Sequence, residues 1–153
     1  VKSCTTFVLI KPDAMDRRLV GRIIARIEDT NLMIHHYQER HKTNVWARAH
    51  YAHVDGQWFF DQLVEFMTSR SMLGFEVSGP YVIERLRMIA GSTCSWEAGP
   101  GTIRGDMGGY PAFHNLIHVS DSFEAYNREW TLFSDPKTDV HPDNFRTYNK
   151  WKS

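Results

Sequence analysis

The sequence predicts an α+β fold, a sandwich in which helices cover a four-stranded antiparallel sheet. Three observations carry this. Four short stretches rich in β-forming residues, at about 6–10, 32–40, 72–77 and 115–119, alternate with stretches whose apolar residues recur at helical spacing. Their order is strand-helix-strand, helices, strand-helix-strand, the split βαβ pattern of a ferredoxin-like sandwich. At 153 residues, with 42% hydrophobic and 24% charged residues, the chain has ordinary globular composition and enough length for one core. One domain is expected over 1–153, with its core at about 6–133 and an irregular tail over 134–153.

Thr6-Phe7-Val8-Leu9-Ile10 is a buried first strand, ended by Lys11-Pro12-Asp13, read as a polar loop because proline stops a central strand. Leu19, Val20, Ile23, Ile24 and Ile27 mark one face of a helix whose other face carries Arg17, Arg18, Arg22 and Arg26. Asn31 fits its stop. Leu32 to Arg40 is the second strand, with His35-His36 interrupting its alternation. Thr43 is a candidate N-cap for a helix over about 44–53, and Asp55-Gly56 is a turn. Phe59, Phe60, Leu63, Val64 and Met67 define the next helix face. Met72 to Val77 is the third strand, and Ser78-Gly79-Pro80 opens a helix carrying Val82, Ile83, Leu86 and Ile89. From Gly91 to about Pro111 the chain is glycine-rich and reads as one long irregular loop, the kind that is usually functional. Asn115 to Val119 is the fourth strand. Asp121 with Glu124 resembles a capping box for a last helix reaching about Trp130. The pattern places helices on one face of the sheet.

Lys+Arg and Asp+Glu balance at 18 each, which argues against a dedicated nucleic-acid-binding surface. Two cysteines, Cys4 and Cys94, are too few for a disulfide scaffold, and neither lies in a CxxC pair. No apolar run approaches the roughly 20 residues of a spanning helix, and the start of the chain lacks a signal-peptide layout. A cytoplasmic protein with no membrane partner is the expectation.

The chemistry gathers around His118. It sits in Asn115-Leu116-Ile117-His118-Val119-Ser120-Asp121, with Glu129 eleven residues further on. A histidine nucleophile needs a neutral imidazole nitrogen, and a carboxylate on the other nitrogen fixes the tautomer and raises basicity. Strand, turn and helix could return Glu129 to His118. Alone, His118 is one of eight histidines, and its ordinary reading is a packed or surface residue. His35, His36, His41, His50, His53, His114 and His141 receive no role. His50 and His53 have i, i+3 spacing, but no HExxH-type context supports zinc there. Phosphoryl transfer also needs cations around spread negative charge. Lys11 closes the first strand, Arg87 lies late in a helix, and Arg104 stands in Gly101-Thr102-Ile103-Arg104-Gly105-Asp106, where backbone amides and a guanidinium can meet phosphate oxygens. Thr93 and Thr102 offer hydroxyls. Tyr51 and Phe59 read by default as core. No GxxxxGK[ST] motif is present, so a P-loop is excluded.

Over about 6–133 the chain closely resembles the nucleoside diphosphate kinase family, most specifically in Asn115-Leu116-Ile117-His118-x-Ser120-Asp121. The resemblance implies transfer of the γ-phosphate of ATP, or another nucleoside triphosphate, to nucleoside diphosphates, which maintains NTP and dNTP pools. It implies a ping-pong mechanism through a pros-phosphohistidine at His118, with Mg²⁺ on the nucleotide phosphates and no metal ligands from the protein. It assigns Glu129 to orienting His118 and Lys11 to sugar hydroxyl and phosphate. Tyr51, Arg87, Thr93 and Arg104 go to phosphate, Phe59 to stacking on the base, and Asn115 to the sugar 3′-hydroxyl. It also implies a homo-oligomer, a hexamer, tetramer or dimer. Val119 stands where the family usually has a small residue, often glycine. The stretch 104–115 is one residue longer than usual, Cys94-Ser95 replaces a common Asn-Pro, and Arg70-Ser71 a common Gly-Pro. Two alternatives are a regulatory or scaffold paralogue with weak activity and a nucleic-acid-binding module of similar fold. The first would be expected to lose the histidine or its clamps. The second conflicts with neutral charge and the lack of an RNP-type aromatic motif.

Overall fold

The computed structural model describes residues 3–141. Four strands, β1 (Ser3–Ile10), β2 (Met33–Arg40), β3 (Met72–Pro80) and β4 (Ile117–Val119), form one antiparallel sheet in the order β2-β3-β1-β4. Among the described residues seven α-helices connect or flank them: α1 (Pro12–Asp16), α2 (Val20–Glu28), α3 (Asn44–His50), α4 (Phe60–Met67), α5 (Val82–Ala90), α6 (Ile103–Met107) and α7 (Phe123–Ser134). The sheet order and the antiparallel pairing are those of the ferredoxin-like pattern expected from the sequence.

Helices pack on both faces of the sheet, not one. Alternation along β1 explains this, since successive side chains point to opposite sides. Val8 and Ile10 join Phe75 and Val77 under α2 and α5, with Ile23, Ile27 and Leu86 fully buried there. Phe7 and Leu9 turn the other way, into a second cluster with Trp46 of α3, Leu63 and Met67 of α4 and Phe133 of α7. A central strand buried on both sides reads as a continuous apolar run, and Phe7 to Ile10 is such a run. Gly74 lets the second cluster close, because a Cβ there would lie 2.4 Å from the Phe133 ring.

Several boundaries differ from the sequence pattern. Lys11-Pro12-Asp13 opens helix α1, because Pro12 sits in its first turn, where a missing N–H costs nothing. The helix expected over 44–53 ends at His50, and a 3₁₀ turn covers Ala52–Val54. Ser78-Gly79-Pro80 is still strand, and the N-cap of α5 is Tyr81 at φ 52°. The N-cap of α7 is Ser122, whose Oγ accepts from the Ala125 amide, so Asp121 is not the cap. That helix runs on to Ser134. The interruption at His35-His36 is a bulge between β2 and β3, with His36 at φ 56°.

The glycine-rich stretch is more ordered than expected. It holds a 3₁₀ turn at Ser95–Glu97 and helix α6, capped by Thr102 Oγ1 accepting from the Gly105 amide. Gly108 is required by contact, since a Cβ there would meet Ser95 Oγ at 1.9 Å. The tail too is anchored as far as it is described. Lys42, wholly buried, donates to the carbonyls of Phe133 and Asp135 and to Asp139 Oδ1 at 2.6 Å. Residues 142–153 of the expected irregular tail lie outside the described residues. Among the described residues no helix is long and apolar enough to cross a membrane.

Candidate active site

Strand β4 is shorter than the predicted 115–119 because the chain kinks at Leu116. Leu116 has φ 77°, and Ile117 N donates to Asn115 O at 2.9 Å, closing a three-residue γ-turn. A bulky residue in this region costs on the order of 1–3 kcal/mol and persists only when its surroundings hold it. Here Leu116 N donates to Asp13 Oδ2 and its carbonyl accepts from Lys11 N, while its side chain is fully buried. The kink turns Asn115 toward Lys11 and hands His118 to the α7 side of the sheet.

His118 pairs with Leu9 in the β1–β4 register and shares the face of Phe7, whose ring it meets at 6.3 Å. Its Nε2 lies 2.6 Å from Glu129 Oε2. Ser120 Oγ donates to the same oxygen, and Glu129 is only 5% exposed. Burial alone would raise the Glu129 carboxyl, but the His118 and Ser120 hydrogen bonds and the His118 charge outweigh it and bring it to about 2. An ionised carboxylate can only accept. Nε2 therefore carries the proton, and Nδ1 is the nitrogen with a lone pair. Val119, next in the strand, pairs with Val8 and packs into the opposite core cluster. Alternation thus turns its branched side chain off the face that holds the His118 ring.

A cavity of about 760 Å³ opens beside His118, lined by all the other predicted site residues, Lys11, Tyr51, Phe59, Arg87, Thr93, Arg104 and Asn115. Glu129 lies behind His118, outside the lining. Lys11 is 4% exposed and donates to Phe113 O and to Asn115 Oδ1 at 2.8 Å. Burial, aided by the Arg104 charge, lowers its ammonium to about 7, against the opposing pull of Asp13. Asn115 Nδ2 in turn donates to Thr93 O. Arg104 donates to three carbonyls, those of Asn115, Gly91 and Ile117, so it staples the glycine-rich stretch to β4 as well as charging the cavity wall. The Arg87 side chain makes no hydrogen bond or ion pair among the described residues, which leaves its guanidinium open to the cavity it lines. Tyr51 and Phe59 pack partly against the second core cluster, yet both line the cavity. Burial pushes the Tyr51 phenol up, so it stays a neutral donor.

Three neighbours were not legible as site residues. Trp58, 83% exposed, stands at the mouth with its ring edge-on to Phe59 at 5.7 Å. Ser120 supports Glu129; its place two residues past His118 was a usable signal. His50, given no role above, is buried against His118, with ring centroids 4.9 Å apart. Burial and the His118 charge hold its imidazole well below the usual range.

An imidazole with a fixed tautomer opens on a cavity walled by three cations, an arrangement whose charge suits a phosphate-bearing ligand. The fold and this site define a phosphotransferase. Comparison with known proteins gives its kind: the family model for nucleoside diphosphate kinase matches residues 5–138. The chain belongs to the nucleoside diphosphate kinase family, whose members transfer phosphate between nucleotides. It is 47% identical over 129 residues to the nucleoside diphosphate kinase of Mycobacterium marinum, covering 84% of this chain and 94% of that one. The Methanococcus maripaludis enzyme is 43% identical over 129 residues, covering 84% and 96%. Among solved structures, the Halobacterium salinarum nucleoside diphosphate kinase in complex with CDP superposes with a TM-score of 0.82 at 37% identity, over 92% of this chain and 93% of that one. The Borrelia burgdorferi enzyme, a transition-state mimic with vanadate and ADP, gives 0.79 at 25% identity, over 91% of each chain.

Proposed function

We propose that this enzyme moves the γ-phosphate of a nucleoside triphosphate to a nucleoside diphosphate through a phosphohistidine on Nδ1 of His118. The observation that carries the reading is the 2.6 Å hydrogen bond from His118 Nε2 to Glu129 at the edge of the cation-lined cavity. Nδ1 attacks the γ-phosphorus, the bond to the β,γ-bridging oxygen breaks, and the diphosphate leaves with that oxygen. In the second half, a β-phosphate oxygen of the incoming diphosphate attacks the same phosphorus and Nδ1 regains its lone pair. The positive charge on the phosphorylated ring is held by Glu129 through Nε2–H. Arg87, Arg104 and Lys11 face the charge spread over the phosphoryl oxygens, and Tyr51 and Thr93 offer hydroxyl donors.

Phe59 supplies a face for the base, and Lys11 with Asn115 supplies polar groups for the sugar. Stacking reads no base edges, which supports broad base tolerance. Among the described residues Asp121 is the only carboxylate in the cavity lining, too little for a protein cage around Mg²⁺. The residues fit an ion that arrives on the nucleotide phosphates, where it would neutralise charge. A homo-oligomer belongs to the same reading, and exposed Val45, Trp96 and Tyr110 offer apolar surface for it.

The test uses γ-labelled ATP with Mg²⁺. The protein should take up an acid-labile, base-stable label that ADP or GDP removes and that His118→Ala never acquires. If His118→Ala still takes up label and passes it to diphosphates, the mechanism is wrong.

A further inference from the structure

Among the described residues His50 is the one buried imidazole at this site that the proposed phosphoryl transfer does not use. It is 1% exposed, its ring stacks on Trp46 with centroids 4.9 Å apart, and its edge meets the His118 ring. Its Nδ1 is buried with no hydrogen-bond partner among the described residues. A nitrogen of His50, a nitrogen of His118 and an oxygen of Glu129 all lie within 4.8 Å of one another. The i, i+3 pair His50–His53 does not form this cluster. His118 does, brought from the far end of the sheet.

We propose that His50, His118 and Glu129 form a site for a divalent transition-metal ion of zinc type, and that an ion bound there withdraws His118 from phosphoryl transfer. The donor set carries the choice of ion. Two imidazoles and a carboxylate, with a fourth position toward solvent, is a common arrangement for tetrahedral zinc. Mg²⁺ favours six oxygen ligands and keeps its water, so it does not compete for two imidazoles. The ion that travels with the nucleotide and the ion that stops the enzyme are thereby separated by ligand chemistry.

The geometry needs a small contraction and one exchange. Zinc with bonds of about 2.0–2.2 Å sets tetrahedral ligand atoms roughly 3.3–3.6 Å apart. The cluster spans up to 4.8 Å, so His50 and the His118–Glu129 pair draw together by about 1 Å on the metal's account. His118 sits on a three-residue strand with a quarter of its side chain exposed, which leaves it room to turn. The ion takes the place of the Nε2 proton in the His118–Glu129 hydrogen bond, and that proton passes to Nδ1 of the same ring, while Ser120 Oγ still donates to Glu129 and orients that ligand from behind. Zinc therefore engages the same two groups that would carry the reaction.

Metal binding stands on its own; inhibition rests on His118 being the nucleophile, and the experiment separates the two. The full chain is titrated with Co²⁺ in excess Mg²⁺. One tetrahedral cobalt per chain, seen as intense visible bands and displaced by Zn²⁺, is expected. His50→Gln should abolish the bands and weaken zinc binding in calorimetry by at least roughly tenfold, whereas His53→Gln should leave both unchanged. Octahedral cobalt, or bands that persist in His50→Gln, overturns the site. Should His50→Gln not fold, His118→Gln serves instead, and bands that persist there overturn the site equally. Zinc should also block label uptake from ATP, reversibly with chelator, at concentrations far below the Mg²⁺ present. Binding without that block overturns the inhibitory part, and metal-free His118→Ala judges the nucleophile separately.

Discussion

Glu129→Gln keeps the shape of the side chain and removes its charge. The carboxylate oxygen Oε2 accepts from His118 Nε2 at 2.6 Å and from Ser120 Oγ. Hydrogen bonds to a charged acceptor contribute about 1.5–3 kcal/mol, against roughly 0.5–1.5 for neutral ones. Neutralising the acceptor thus removes about 1–2 kcal/mol of support for the charge that builds on the imidazole, which is about a 5- to 30-fold loss in kcat. Glu129 does not line the cavity, so KM for either nucleotide should change little. Steady-state kinetics with ATP and GDP, with single-turnover discharge of labelled enzyme, separate the two parameters. A raised KM at unchanged kcat would refute the orienting role.

The same variant has a stability signature. The folded carboxyl lies at about 2, against an ordinary 4.5. A depressed acid contributes stability that is present above pH 4.5 and is lost as pH falls toward 2. The gap corresponds to about 3 kcal/mol. In Glu129→Gln that contribution is absent at every pH, so its unfolding midpoint in urea should fall less steeply below pH 5 than the wild type's. Equal acid slopes in the two proteins would sink the assignment.

Lys11 sits near pH 7 because it is buried, so the free enzyme loses that cation as pH rises through 7, and KM for ATP should climb there. Lys11→Arg, charged throughout, should flatten the profile, and a flat wild-type profile counts against the lysine. The sign for folding is opposite: an amine lowered from 10.5 costs stability while it is charged, so this group's penalty shrinks as pH rises from about 7 toward 10.5. Gly74→Ala puts a Cβ 2.4 Å from the buried Phe133 ring. It should destabilise the chain by about 1–3 kcal/mol, read as a lower urea midpoint, and no change would show that the second core can yield. Trp58→Ala removes an exposed ring stacked edge-on to Phe59 at the cavity mouth. It should raise KM for purine diphosphates more than for pyrimidine ones at constant kcat, and tryptophan quenching on nucleotide binding should be smaller than in the wild type. An equal shift for all bases would mean that Trp58 meets no base.

What could be read from the chain was what repeats or sits close in sequence. Periodicity found the four strands and the main helices, and the His118 segment with Glu129 named two side chains that the fold brings within hydrogen-bond distance. What could not be read came from contacts between distant residues. The His50–His118 packing joins positions 68 apart, across two elements with no shared pattern. The Lys42–Asp139 tie spans 97 residues and joins two charges that no local pattern connects. Helix α1 was hidden by proline, which marks a strand's end and a helix's first turn equally well. The second helical face was implied by Phe7 to Ile10, since an unbroken apolar run demands burial on both sides.

The γ-turn at Leu116 links fold to chemistry. A regular fourth strand through Asn115 would alternate on to His118 without turning Asn115 toward Lys11. The kink breaks that alternation, and its strain is held by Asp13, itself fixed in α1 by the Lys11-Pro12-Asp13 corner. Asp13 also faces Lys11 electrostatically and opposes the effect of burial on it. One buried carboxylate therefore bears both on the backbone that presents His118 and on the charge of the lysine beside the cavity. Asp13→Asn keeps an oxygen for the Leu116 amide but removes the charge beside Lys11. It should leave the kink in place and shift the Lys11-dependent rise in KM to lower pH. A kcat collapse without that shift would mean that the carboxylate acts on the backbone alone.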